Sequence, residues 1–166
     1  MELRSTAYRP GGAIPARHAC DGENLSPDFT WSDVPSQTKS LALVLHDPDA
    51  PKAGGFTHWV LYDIAPETRQ IDAGVPKQEP VTDFGLQGKN DGGRIGYMGP
   101  CPPSGTHHYI ARLYALDTEV DLKPGATRRE LERVMQGHIL DQAALTGTYA
   151  RSANTTRGRV RAEVAA

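Results

Sequence analysis

The sequence predicts a mainly β domain, and three observations carry that prediction. Glycine and proline number 17 and 13 of the 166 residues, a composition of short strands joined by turns. Three apolar runs, Ser40–Asp47 (SLALVLHD), His58–Ile64 (HWVLYDI) and His108–Leu116 (HYIARLYAL), are each too short for a core helix and are flanked by glycine or proline signals. A single stretch, late in the chain, has helical spacing.

Upstream of these runs, NLSPDFTWSDVP (Asn24–Pro35) reads as a loop and a short edge strand punctuated by Pro27 and Pro35. The first run is stopped by DPDAP, the second by Ala65-Pro66, and the third follows the stiff loop GPCPPSGTH. Between Ile71 and Gly99 the chain is rich in Gly, Asp, Asn and Pro. An irregular segment of that length is either a functional loop or a surface excursion carrying an edge strand. Thr127 and Glu130 form a capping box, and Leu131, Val134, Met135, His138 and Ile139 continue at helical spacing. This predicts a helix over about 128–145, or two short ones divided at Gly137. Residues 1–151 form one domain in this reading, and 152–166, with no aromatic and little apolar content, a flexible tail.

Charge and patterning exclude several classes of function. A net charge of −2 argues against a broad basic face for nucleic acid or for an anionic membrane. No apolar run is long enough for a spanning helix, so stable membrane insertion is not expected. The opening MELRSTAYRPGG lacks the apolar stretch of a secretory signal. Cys20 and Cys101 make no C-x-x-C pair; a cytoplasmic protein with free thiols is the simplest reading, a single disulfide the alternative.

Side chains alternate along a strand, so Asp47 shares a face with Leu41, Leu43 and Leu45 and ends that strand on its apolar side. If the first two runs pair antiparallel, the exit of one lies beside the start of the other, which brings His58 near Asp47. By the same alternation His58 shares a face with Val60, Tyr62 and Ile64. His107 and Tyr109 share a face with Ala111 and Leu113, and His108 points the other way. If the third strand starts at the same end, Asp47, His58, His107 and Tyr109 converge. A carboxylate that orients imidazoles, a phenol and the N–H groups of a glycine-proline loop together make a small anion receptor. Proline stiffens that loop, and glycine lets its backbone approach a ligand.

These residues resemble the signature of the phosphatidylethanolamine-binding protein (PEBP) family: DPDAP, then HWV, then GPCPPSGTHHY followed by LYALD. The segments CDGENLSPDFTWSDVP, LQGKNDGG and GHILDQAALTGTYAR are similar to its bacterial Raf-kinase-inhibitor-like (YbhB/YbcL) branch, and the resemblance spans roughly residues 14–151. It implies a β-sandwich-like fold with a large antiparallel sheet, a smaller sheet and a few peripheral C-terminal helices. It also implies a non-enzymatic pocket for small anions or phosphorylated head groups, lined by Asp47, His58, Gly99, Pro100, Cys101, His107 and Tyr109. Phe56 is expected either as an apolar rim of the pocket or as a plug of the core, and Asp49 as a support that caps its own loop's amides. No cofactor or metal is implied. Protein partners such as a kinase and a homodimer are. The chain departs from the family pattern at His108, where an Arg is common, and at Asp28, which replaces a proline.

Three other readings compete. Asp47, His58 and His107 are the ligand set of a two-His-one-carboxylate metalloenzyme, although no H-x-D or H-x-x-x-H spacing supports it. Ser104 or Cys101 could be a nucleophile with His107 as base, but no strand-turn-helix elbow surrounds Ser104. The domain could also be a protein-interaction module with a vestigial pocket. Cys101 is expected as a pocket-wall residue, His138 as a structural one on the apolar side of the helix.

Overall fold

In the computed structural model, which describes residues 1–151, the three apolar runs form the middle of one antiparallel sheet. They are β3 (Ser40–Asp47), β4 (Phe56–Ile64) and β7 (His107–Leu116). With β6 (Leu86–Gln87) and β8 (Ile139–Tyr149) they give a five-stranded sheet in the order β6-β4-β3-β7-β8. A smaller antiparallel sheet runs β1-β2-β5, from β1 (Glu2–Arg4), β2 (Phe29–Ser32) and β5 (Gln70–Ile71). β2 is therefore the centre of its sheet rather than the expected edge strand, because Gln70–Ile71 pair along its other side.

The alternation of β3 explains the layering. Leu41, Leu43 and Leu45 join Leu3, Phe29 and Trp31 of the small sheet in the main core, together with Trp59, Leu61 and Leu113. Ala42 and Val44 face the other way and pack with Val60, Tyr62, Leu131 and Met135. Leu131 and Met135 belong to α1 (Arg128–Met135), which opens on the predicted Thr127–Glu130 capping box. Eight residues make a marginal helix in water, so α1 is held by its two buried side chains and its cap rather than by propensity. The helix ends sooner than its spacing predicts. Gly137 takes φ +84°, a left-handed conformation that turns the chain out of the helix. Residues 139–149 then form β8, paired along the whole of β7 from His107–Tyr149 to Leu116–Ile139.

The Ile71–Gly99 excursion is a surface segment pinned by two buried amides. Gln87 accepts a hydrogen bond from the Trp59 indole (2.8 Å) and donates to the carbonyls of Pro76 (2.9 Å) and Glu79 (2.8 Å). Asn90 donates to the Gly96 carbonyl (3.0 Å) and accepts from the Gly92 N–H (2.9 Å). At the other end of the chain, Asp28 accepts from the Thr6 N–H and from the hydroxyls of Thr6 and Ser5. Its carboxylate thus ties the loop before β2 to the segment that follows β1.

The cysteines are not free. Cys20 and Cys101 form a disulfide with Cα atoms 5.4 Å apart, which corrects the free-thiol reading. Eighty-one residues of sequence separate them, so no local spacing announced the pair. Among the described residues no helix is long and apolar enough to cross a membrane. The segment 152–166, expected to be a flexible tail, lies outside the described residues.

Candidate functional site

Asp47, His58, His107 and Tyr109 do converge. They line a cavity of about 180 Å³ with Phe56, Met98, Gly99 and Cys101, walled further by Ala50, Pro51, Pro102 and Pro103. Asp47 and His107 meet because β3 exits where β7 starts. The Asp47 carboxylate accepts the His107 Nδ1–H at 2.6 Å, and both residues are buried, at 2% and 7% exposure. Its other oxygen accepts the Asp49 N–H at 2.8 Å, closing the Asp-Pro turn. Asp47 thus both closes a turn and lines the cavity. Since the carboxylate can only accept, His107 Nδ1 carries a proton and Nε2 is left for the cavity.

His58 arrives by a different route. His46 pairs with Thr57 and Leu45 with Trp59, so His58 is an extra residue on β4, a β-bulge. The bulge shifts the phase of the strand. Trp59 lies in the core between the sheets, Val60 under α1, and His58 turns toward the cavity rather than joining Val60 and Tyr62 as strict alternation expects. Its Nδ1–H donates to the Met98 carbonyl, which fixes the tautomer and leaves Nε2 as an acceptor. Burial pushes the His58 imidazole below its ordinary value of 6.5; the Met98 bond and the charge of Asp47 oppose that shift without cancelling it.

Tyr109 is fully buried between the two imidazoles, edge-on to His58 at 5.2 Å and stacked with His107 at 6.4 Å. Burial raises its phenol above the ordinary range, so it stays protonated. Its hydroxyl has no partner among the described residues. An unpartnered buried hydroxyl costs free energy that a bound ligand recovers. Phe56 packs against His58 with ring centres 4.9 Å apart and carries Lys52 5.6 Å over its outer face, forming the rim.

The loop behind the cavity is built for close approach. A Cβ on Gly99 would stand 2.3 Å from both the Asn24 side-chain oxygen and the His18 carbonyl, so only glycine fits. Gly99 N–H donates to Asn24 Oδ1 at 2.8 Å, and the Pro100 carbonyl accepts from Cys20 N–H at 3.0 Å. Pro100 therefore faces the Cys20 turn and, unlike Gly99 and Cys101, is not a wall of the cavity.

Several expectations change. Asp49 does not cap its own loop; it accepts from the His108 N–H (2.8 Å) and His108 Nδ1 (2.7 Å), stapling the DPDAP turn to the start of β7. His108 is exposed and points away, as alternation requires. Ser104 is exposed on the loop and does not line the cavity, and Cys101 is spent in the disulfide, so neither is placed as a nucleophile for His107. Among the described residues no group of three or more His, Cys, Asp or Glu is arranged to hold a metal ion. His138 lies beyond α1, exposed and paired with Asp117 at 2.7 Å. Met98, which anchors His58 through its carbonyl, was missed because a backbone acceptor leaves no mark on residue type. A wider groove of about 660 Å³ runs along Thr68–Phe84, but it holds Asp72, Glu79 and Asp83 and no histidine.

Residues 4–150 match the sequence profile described as phosphatidylethanolamine-binding protein. The chain belongs to that family. It is 48% identical over 151 residues to a UPF0098 protein of Methanothermobacter thermautotrophicus, covering 91% of this chain and 99% of the relative. A UPF0098 protein of Aquifex aeolicus is 47% identical, with 91% and 89% covered. Among solved structures, the PEBP homologue CT736 of Chlamydia trachomatis superposes with a TM-score of 0.84 at 37% identity, over 91% of this chain and 97% of the other. E. coli YbcL, described as a member of the mammalian PEBP family, gives 0.84 at 29% identity over 91% and 98%. This PEBP chain has the mainly β, two-sheet fold of those relatives, and the match to YbcL supports its place in the bacterial branch.

Proposed function

We propose that this PEBP-family chain is a non-enzymatic receptor for a small phosphate-type anion, free or as a phosphorylated head group. The observation that carries the reading is the buried Asp47–His107 pair, which opens on a cavity that also holds an unpartnered phenol. His107, its Nδ1 held by the Asp47 carboxylate, lines the same space. Tyr109 offers an O–H donor. His58, kept neutral near pH 7 by burial, offers an acceptor at Nε2. A donor beside an acceptor suits a singly protonated phosphate oxyanion, which both accepts hydrogen bonds and donates one. The cavity's roughly 180 Å³ accommodates a head group rather than a whole lipid. The family's name, phosphatidylethanolamine-binding protein, is in keeping with this chemistry.

Asp47 polarises and orients; among the described residues no free nucleophile lines the cavity beside it, so binding rather than turnover is the proposed role. Action through a protein partner such as a kinase, homodimer formation and a cytoplasmic setting extend the same proposal. Equilibrium titration with inorganic phosphate and phosphoethanolamine, against Asp47→Ala as control, tests it. Saturable binding lost in the variant supports the receptor. Binding unchanged by Asp47→Ala would place any anion site elsewhere.

A further inference from the structure

We propose that the Cys20–Cys101 disulfide is a redox latch on the anion pocket, whose reduction by a dithiol frees the pocket's Gly99–Pro103 wall and weakens phosphate binding. The inference rests on reading the cavity as an anion site. Cys101 is a wall of that cavity, and Cys20 belongs to the turn that follows Ala16–His18. The bond therefore joins two irregular segments, not two strands.

Little else holds the wall. Pro100, Pro102 and Pro103 have no N–H to donate. Gly99 and Pro100 are tied to Asn24 and Cys20 by one hydrogen bond each. From Cys101 to Thr106 no backbone–backbone hydrogen bond connects the loop to the other described residues, until β7 begins pairing at His107. The sulfur–sulfur bond is thus the covalent lateral tie of this wall, beside the packing of the buried Pro102.

The bond is open to attack. Both cysteines are part-exposed, and the Arg151 guanidinium contacts both sulfurs, closer to Cys101 Sγ than to Cys20 Sγ at 3.5 Å. A cation stabilises a thiolate and makes the sulfur beside it the better leaving group. The thiolate of a dithiol attacks Cys20 Sγ, the Cys20–Cys101 bond breaks, and Cys101 leaves as a thiolate beside Arg151. The second thiol of the reductant then attacks the mixed disulfide, releasing Cys20. Two electrons pass to the cysteine pair, the dithiol becomes a disulfide, and its two protons go to the cysteines or to solvent. Reduction has two effects on the pocket. It removes the preorganisation of the wall, and it sets a sulfur able to carry negative charge beside the place an anion would occupy.

The test compares oxidised protein, protein reduced with dithiothreitol, and the double variant Cys20→Ser/Cys101→Ser. Phosphate affinity and backbone amide exchange are followed in each. The expected result is an intact fold in all three, faster exchange at Gly99 and Cys101 without the bond, and phosphate affinity lower by about tenfold in reduced protein. The double variant should match the reduced protein, and reoxidation should restore the wild type. Equal affinity in oxidised and reduced protein, with the anion site intact, would overturn the latch. So would global unfolding of the reduced protein and the double variant, which would make the bond a staple of the whole fold. Oxidised protein that fails to bind phosphate would overturn the anion-site reading itself, and the latch with it.

Discussion

Two aspartate–histidine pairs stand side by side at one end of the large sheet, joining the same two segments. Asp47 holds His107 Nδ1 at 2.6 Å, and Asp49 holds His108 Nδ1 at 2.7 Å. The chemistry and the distances match, but the surroundings differ. The Asp47 and His107 side chains are 4% and 9% exposed, whereas those of Asp49 and His108 are 41% and 56% exposed. Alternation along β7 sets the difference, turning His107 toward the cavity and His108 toward water. A pair in water is screened and contributes little, while a buried one works at lower dielectric and directs a ring at an enclosed space. Burial beside a cavity, not the pairing of residue types, distinguishes the two pairs.

The largest expected effect breaks the buried pair. Asp47→Ala leaves His107 without its orienting carboxylate and should weaken phosphate binding by about 10- to 100-fold, the range for a charge-assisted hydrogen bond of about 1.5–3 kcal/mol. Isothermal titration would read it. Next comes Tyr109→Phe, which removes a hydroxyl without a protein partner. It should cost about fivefold in phosphate affinity, near 1 kcal/mol, with thermal stability unchanged or slightly raised. The reverse outcome, lost stability with intact binding, would make the hydroxyl structural.

A pH series sharpens the same contrast. Burial lowers the folded-state value of His58 below 6.5, so the unfolded chain binds the proton more readily. His58 thus contributes stability that is fully present above about pH 6.5 and is lost as the pH falls toward its lowered folded value. Burial also pushes down His18 and His46, which add to the same slope. Denaturant melts between pH 8 and 5 should show stability falling with acidification, and His58→Gln should flatten the curve in part. Sulfate keeps its charge over this range. Its affinity should rise toward pH 5 as His58 gains a proton, and a flat profile would rule out a charged-imidazole site. The smallest effect is expected at the exposed pair: Asp49→Ala or His108→Ala should change phosphate affinity by less than about twofold.

Much of this site is legible in the residues, and what was hidden has physical causes. The faces that Asp47, His107 and Tyr109 occupy follow from period-two alternation, a local rule; that β7 pairs beside β3 and starts at its exit does not, because the pairing joins residues 60 positions apart. The orientation of His58 does not, because a bulge depends on how β4 registers against β3, and the residues of HWVLYDI read the same with or without it. The Leu131–Ile139 pattern fits a helix throughout. β7 offers a full-length partner for residues 139–149, and Gly137 can turn the chain, so cross-strand pairing overrides the local period. Cys20 lies far from Cys101 in sequence, and the Met98 carbonyl belongs to no residue type.

The most direct measurement is a phosphate titration of the oxidised protein that follows the imidazole signals of His107 and His108 together. The account predicts saturable shifts at His107, His58 and the Gly99 amide, with His108 unmoved. Equal shifts at both histidines, or none at His107, would contradict the claim that the buried pair is an anion site.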